Sequence, residues 1–149
     1  MALKTEEYME NFPNNIWPGH TLALFTIRQE NSPEPIARGF KHNIYPCHAE
    51  IRALEEIQNH IPLNDEKYEI TLFISYTPCF KCCNHILAFL EQRNRLHMEI
   101  RASRLYSDRR GLCLLNNAGV SIRMMRRADY EESFQKLMAG YVGSPDCVN

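Results

Sequence analysis

His48, Cys79 and Cys82 supply the donor atoms that a catalytic zinc ion needs. One imidazole and two thiolates make three protein ligands and leave the fourth tetrahedral position to water, whereas a structural site closes it with a fourth side chain. Zinc brings the pKa of its water to about 7, so hydroxide becomes available as a nucleophile in neutral solution. Glu50, two residues past the histidine, is near enough to shuttle that water's protons without being a ligand. The pattern therefore reads as a zinc-dependent hydrolase. A C-x-x-C at a strand-to-helix junction also describes a redox pair, but a redox pair has no use for a His-x-Glu triplet at a second helix start. Cys83 is a poorer third ligand than Cys82, because one helical step turns its side chain about 100° away.

The elements that position these groups follow from periodicity. Ala49 to Asn59 reads as a helix, with Ile51, Leu54, Ile57 and Ala53 on its packing face and Pro62 beyond its end. Pro78 opens a second helix reaching about Asn94, packed through Ile86, Leu87, Phe89 and Leu90. Both ligand segments thus start helices, where free N–H groups and the helix dipole favour negative charge and should lower the pKa of Cys79 and Cys82. Thr21–Gln29 is apolar enough to be buried on both faces, and Ile36–Phe40 returns beside it as a hairpin. Tyr68–Tyr76, Met98–Tyr106 and Val120–Met125 read as three further strands, parallel because helices connect them. Thr5–Phe12, Gly111–Ala118 and Ala128–Ala139 complete the helices, and the stretch from Asn11 to His20, with Trp17, reads as a loop. The expected fold is α/β: one domain over residues 1–149, with a five-stranded mixed sheet covered by helices on both faces.

Composition agrees with one folded domain: 149 residues, 44% hydrophobic and 23% charged. The charged start lacks the apolar stretch of a signal peptide, and no apolar run is of membrane-spanning length. The expectation is accordingly a cytoplasmic or nuclear protein without a membrane partner; the sequence leaves its oligomeric state open, with a monomer favoured. In that setting six cysteines read as ligands and reduced thiols, with Cys47, Cys113 and Cys147 as small buried hydrophobes. Net charge is −1, so the molecule as a whole is no polycation. Nine arginines nevertheless crowd positions 93 to 127, which leaves open a local basic face or plain solvated surface.

The full arrangement, His-x-Glu followed by Pro-Cys-x-x-Cys, is the pattern of zinc-dependent nucleobase deaminases. The chain resembles that superfamily from about Phe12 to Leu137, and within it the AID/APOBEC branch. Phe73-Ile74-Ser75-Tyr76-Thr77-Pro78-Cys79 is similar to the branch's F-I-S-W-S-P-C. The run from Ile100 to Tyr106, with Gly111-Leu112 and Asn117-Ala118-Gly119-Val120, is similar to its I-x-A-x-R-L-Y, G-L and A-G-V, and Gly39 to Asn43 looks like the loop after its second strand. The resemblance implies conversion of cytosine to uracil in single-stranded DNA or RNA. It also implies substrate contacts at His20, Thr21, Asn43, Ala49, Tyr76, Thr77 and Tyr106, with Tyr76 and Tyr106 flanking the base, Asn43 on the sugar, Thr21 near the base edge and His20 beside the backbone. Ser107, Asp108 and Arg109 would then govern which neighbouring base is preferred. Three readings stand beside it: a deaminase of free cytidine or dCMP, a tRNA adenosine deaminase, and an inactive zinc-bearing domain that binds nucleic acid. The intact Glu50 weighs against the last.

Overall fold

The computed structural model describes residues 3–12, 19–106 and 108–139; Ser107, Cys147 and most of the loop holding Trp17 fall outside them. Strand β1 (Leu22–Gln29) lies second from one edge of the sheet. It pairs antiparallel with β2 (Pro35–His42) on one side and with β3 (Tyr68–Ile74) on the other. β4 (Leu96–Ala102) and β5 (Ser121–Met124) add on in parallel, giving the order β2-β1-β3-β4-β5 among the described residues. The expected five-stranded mixed sheet is therefore present.

Alternation along β1 explains its apolar run. Ala23, Phe25 and Ile27 face one core, together with Ile70, Leu72, Ile100 and the buried sides of α2 (Ala49–His60), α3 (Phe80–Glu91) and α4 (Arg110–Asn117). Leu22 and Leu24 face a second core with Phe73, Tyr8 and Phe12 of the α1 region (α1, Thr5–Asn11), and Leu137. α5 (Arg127–Phe134) and the π-helical segment Gln135–Ala139 cover that second face. A strand with helices on both sides must be apolar on both sides, and helices do cover both faces as expected.

Three local expectations change. The packing face of α2 is Glu50, Ala53, Leu54 and Ile57, while Ile51 is only half-buried. His48 starts this helix as its N-cap, and that phase turns Glu50 inward and carries Ile51 about 100° round. β4 ends at Ala102 rather than Tyr106, because the Thr77 and Tyr106 N–H groups bond Arg104 O and Thr77 Oγ1 instead of continuing a ladder. Cys47 and Cys113 are exposed thiols, not buried ones. Cys47 closes a surface turn and Cys113 lies on the outer side of α4.

Candidate active site

The site forms where two helices begin. His48 and Cys79 are the N-caps of α2 and α3, both with extended backbone and neither side chain bonded to its own helix. At an N-cap, Ser or Asp would spend its oxygen on the first-turn N–H groups; here the side chains turn to each other instead. His48 Nδ1 lies 3.5 Å from Cys79 Sγ and 3.1 Å from Cys82 Sγ. Among the described residues these three form one metal-capable group, their donor atoms all within 4.8 Å of one another. His48 is exposed, Cys79 half-buried and Cys82 buried, so the group opens to solvent on the histidine side. Soft sulfur with imidazole nitrogen is the donor chemistry of zinc, and the side chains present fit it.

Glu50 is 4% exposed, one of few buried charged residues in the described chain. Burial raises its carboxyl above the ordinary value, with its backbone N–H, the Cys82 thiol and His48 pulling the other way. The Cys82 thiol is raised too, first by burial and then by the charges of Glu50 and Cys79. This departs from the expectation that helix N-termini would lower it: two nearby anionic groups and a dry setting outweigh the dipole. A zinc ion held by His48, Cys79 and Cys82 would reverse that balance, since a coordinating thiol deprotonates outright. Cys83 points elsewhere. It is fully buried, approaches Pro78 O at 3.7 Å, and has its thiol pushed up to about 11, mainly by burial.

The other sequence-proposed residues gather in three places. Thr21 and Asn43 meet each other: the Thr21 N–H donates to Asn43 Oδ1 at 2.7 Å, and the Asn43 N–H to Thr21 O at 3.2 Å. His20 is exposed, its ring 5.8 Å from that of His42. Ala49, fully buried, adjoins His48 at the start of α2. Thr77 ties two loops together, its N–H donating to Arg104 O at 2.8 Å and its Oγ1 accepting the Tyr106 N–H at 2.7 Å. Tyr76 is half-buried under the Arg104 guanidinium, while Tyr106 is 44% exposed. Asp108 accepts from Arg110 Nε and Nη2, both at 3.0 Å, and from the Arg110 N–H at 3.2 Å, and these bonds hold its carboxyl down near 2. Arg109 is exposed as the N-cap of α4, and Ser107 lies outside the described residues.

Sequence reasoning missed Arg104. It is 2% exposed and donates to Asn11 O and to Ser75 O, locking α1 to the end of β3 just before the two cysteines. Its place in an alternating polar and apolar run marked it as a surface cation. The clue was the break of that alternation at Ser103-Arg104-Leu105, where the strand stops.

Comparison with known proteins fits this geometry. The family described as "APOBEC3, cytosine deaminase domain" matches residues 2–142. A Felis catus protein named DNA dC->dU-editing enzyme APOBEC-3Ca is 31% identical over 142 residues, covering 86% of this chain and 74% of the relative. The Pongo pygmaeus APOBEC-3H enzyme of the same description is 28% identical over 82% of this chain and 60% of its own length. The Homo sapiens APOBEC-3H enzyme is 27% identical over 93% and 74% respectively.

Proposed function

This chain belongs to the APOBEC3 cytosine deaminase domain family, and on that premise we propose that it deaminates cytosine to uracil in single-stranded DNA. The observation that carries the reading is Glu50, a carboxylate buried beside three converging zinc-type donors and joined to one of them, Cys82. A structural zinc site has no need of such a group, whereas a hydrolytic one requires it. His48, Cys79 and Cys82 would hold the zinc, which when bound acts as a Lewis acid and lowers the pKa of water to about 7.

The chain's own residues do the rest. Glu50 takes a proton from the attacking water and delivers it to ring N3 of cytosine, which makes C4 electrophilic. It then takes the second proton from the new C4 hydroxyl and gives it to the departing amino group as the C4–N bond breaks, so that cytosine and water become uracil and ammonia. A carboxyl raised by burial suits both halves of that task, since it gains and loses a proton closer to neutral pH. Tyr76 and Tyr106 offer aromatic faces to an extruded base, and Thr77 fixes the spacing between their segments. Asn43 and Thr21, bonded to each other, form one rigid polar lip toward the sugar and the base edge.

The relatives' names favour DNA over RNA, free cytidine or tRNA adenosine. The test is deamination of a cytosine-containing single-stranded oligodeoxynucleotide by zinc-loaded protein, with matched RNA, cytidine and dCMP in parallel. Conversion of the oligonucleotide, abolished in Glu50→Gln at one zinc per chain, is the expected result. Conversion of free nucleosides alone, or retained activity in Glu50→Gln, overturns the reading.

A further inference from the structure

The turn leading into His48 presents an aromatic ring that the site described above does not use. Tyr45 is 94% exposed and its neighbour Ile44 is 58% exposed. Single exposed apolar residues are ordinary; the anchoring of this one is not. Ile44 and Cys47 exchange backbone hydrogen bonds, N–H to O at 2.9 and 2.6 Å, closing the turn on itself. Upstream it is fastened by the Asn43–Thr21 pair, downstream by His48 as the cap of α2. A ring held out on a braced turn three residues from a metal ligand offers a preorganised stacking surface at little cost in ordering entropy.

Charge next to the turn says what would lie on it. Arg38, Lys41, His42, Arg52 and His60 line one pocket with Glu56; His42, which immediately precedes Asn43, pairs with Glu7 at 2.7 Å. Glu56 pairs with Lys41 at 3.8 Å and with His60 at 3.2 Å. Arg38 and Arg52 donate to the backbone carbonyls of Lys136 and His42, and among the described residues neither meets a carboxylate. An aromatic ring exposed three residues beyond His42, whose carbonyl Arg52 holds, and a guanidinium that no carboxylate meets among the described residues match a nucleotide strand, base on the ring and phosphate toward Arg52.

We infer that Tyr45 is the stacking platform for a base flanking the target cytosine, with the backbone running toward Arg52. This rests on the polynucleotide reading above. It is tested by binding rather than turnover. Affinities for a fluorescent single-stranded DNA oligonucleotide are measured in a Glu50→Gln background, with Tyr45 intact or as Tyr45→Ala or Tyr45→Trp, while abasic sites are scanned along both sides of the target.

The expected result is one flanking position where the abasic site weakens binding about tenfold with Tyr45 and less than about twofold with Tyr45→Ala. Tyr45→Trp should bind the intact strand at least as well as the parent. Equal abasic penalties in all three proteins at every position overturn the inference, as does the absence of measurable binding. Thermal melts of the three verify that an exposed-site change leaves the fold intact. Deamination of the same oligonucleotide by the protein with native Glu50 is followed separately. Coupling without deamination removes the proposed chemistry and keeps the platform; deamination without coupling does the reverse.

Discussion

Two adjacent thiols, Cys82 and Cys83, occupy the first turn of α3 and have opposite environments. Cys82 lies 3.1 Å from His48 Nδ1, whereas Cys83 is sealed in the core against Pro78 O and the start of α4. The difference is one helical step of about 100°. Cys82→Ser should therefore lose zinc, and Cys83→Ser should keep one zinc per chain while losing on the order of 1 kcal/mol of stability. Metal content by elemental analysis and a chemical melt separate the two effects. Zinc retained in Cys82→Ser and lost in Cys83→Ser would reverse the ligand assignment. Glu50 shows the same dependence on phase: sharing a helix face with Ala53, Leu54 and Ile57 is what buries its carboxyl.

The element that sets the site's frame is the contact between the starts of α3 and α4. Gly111 sits where a Cβ would fall 2.3 Å from Cys83 Sγ and 2.5 Å from Cys83 Cβ, with the Phe80 backbone at 3.4 Å. Both atoms of a fully buried side chain would have to yield. Gly111→Ala should thus push the two helix starts apart, costing about 1 to 3 kcal/mol and weakening zinc through Cys79 and Cys82. Denaturation gives the first quantity and chelator competition the second. Unchanged zinc affinity would show that the α3 start is held from elsewhere. The order of elements was legible in the sequence because each apolar repeat has one period and each break has its turn formers. The closeness of Gly111 to Cys83 was not, since nothing in a Gly-Leu dipeptide says which helix it will approach.

At the scale of the molecule, part of the arginine-rich stretch is bracing between elements, while Arg109, Arg110, Arg126 and Arg127 are exposed. Arg101 bonds Glu99 at 3.0 Å, Asp129 at 3.3 Å and Glu132; Arg123 bonds Asp129 and approaches Glu99 at 3.4 Å. This network joins β4, β5 and α5 and takes up two of the nine arginines in the stretch, Arg101 and Arg123. Burial pushes the Asp129 carboxyl up, but Arg123, the Arg126 N–H and Arg101 outweigh it and hold it below the ordinary value. A lowered carboxyl stabilises the fold only when ionised. Its contribution is complete above the unfolded value of about 4 and is lost as pH falls through the lower folded value. Asp129→Asn should cost about 2 to 4 kcal/mol at pH 7, and the gap from the parent protein should close as pH drops below about 4. Urea melts across pH measure it; a gap constant down to acid pH would remove the ion network as its source.

The sequence by itself determined the chemistry and the class of fold. His48, Glu50, Cys79 and Cys82 are named by residue type and spacing, and two helix starts are where such spacing puts them. Burial of β1 on both faces follows from its being apolar at every position from Leu22 to Ile27 except Thr26. Tertiary structure decided what depends on approach from distant parts of the chain. It buried Arg104 against α1 and Ser75, exposed Cys47 and Cys113, turned Asp108 onto Arg110, and raised the Cys82 thiol by burying it beside Glu50 and Cys79. Local periodicity reports which side of an element is apolar; it carries no record of which charged or polar group will meet that side.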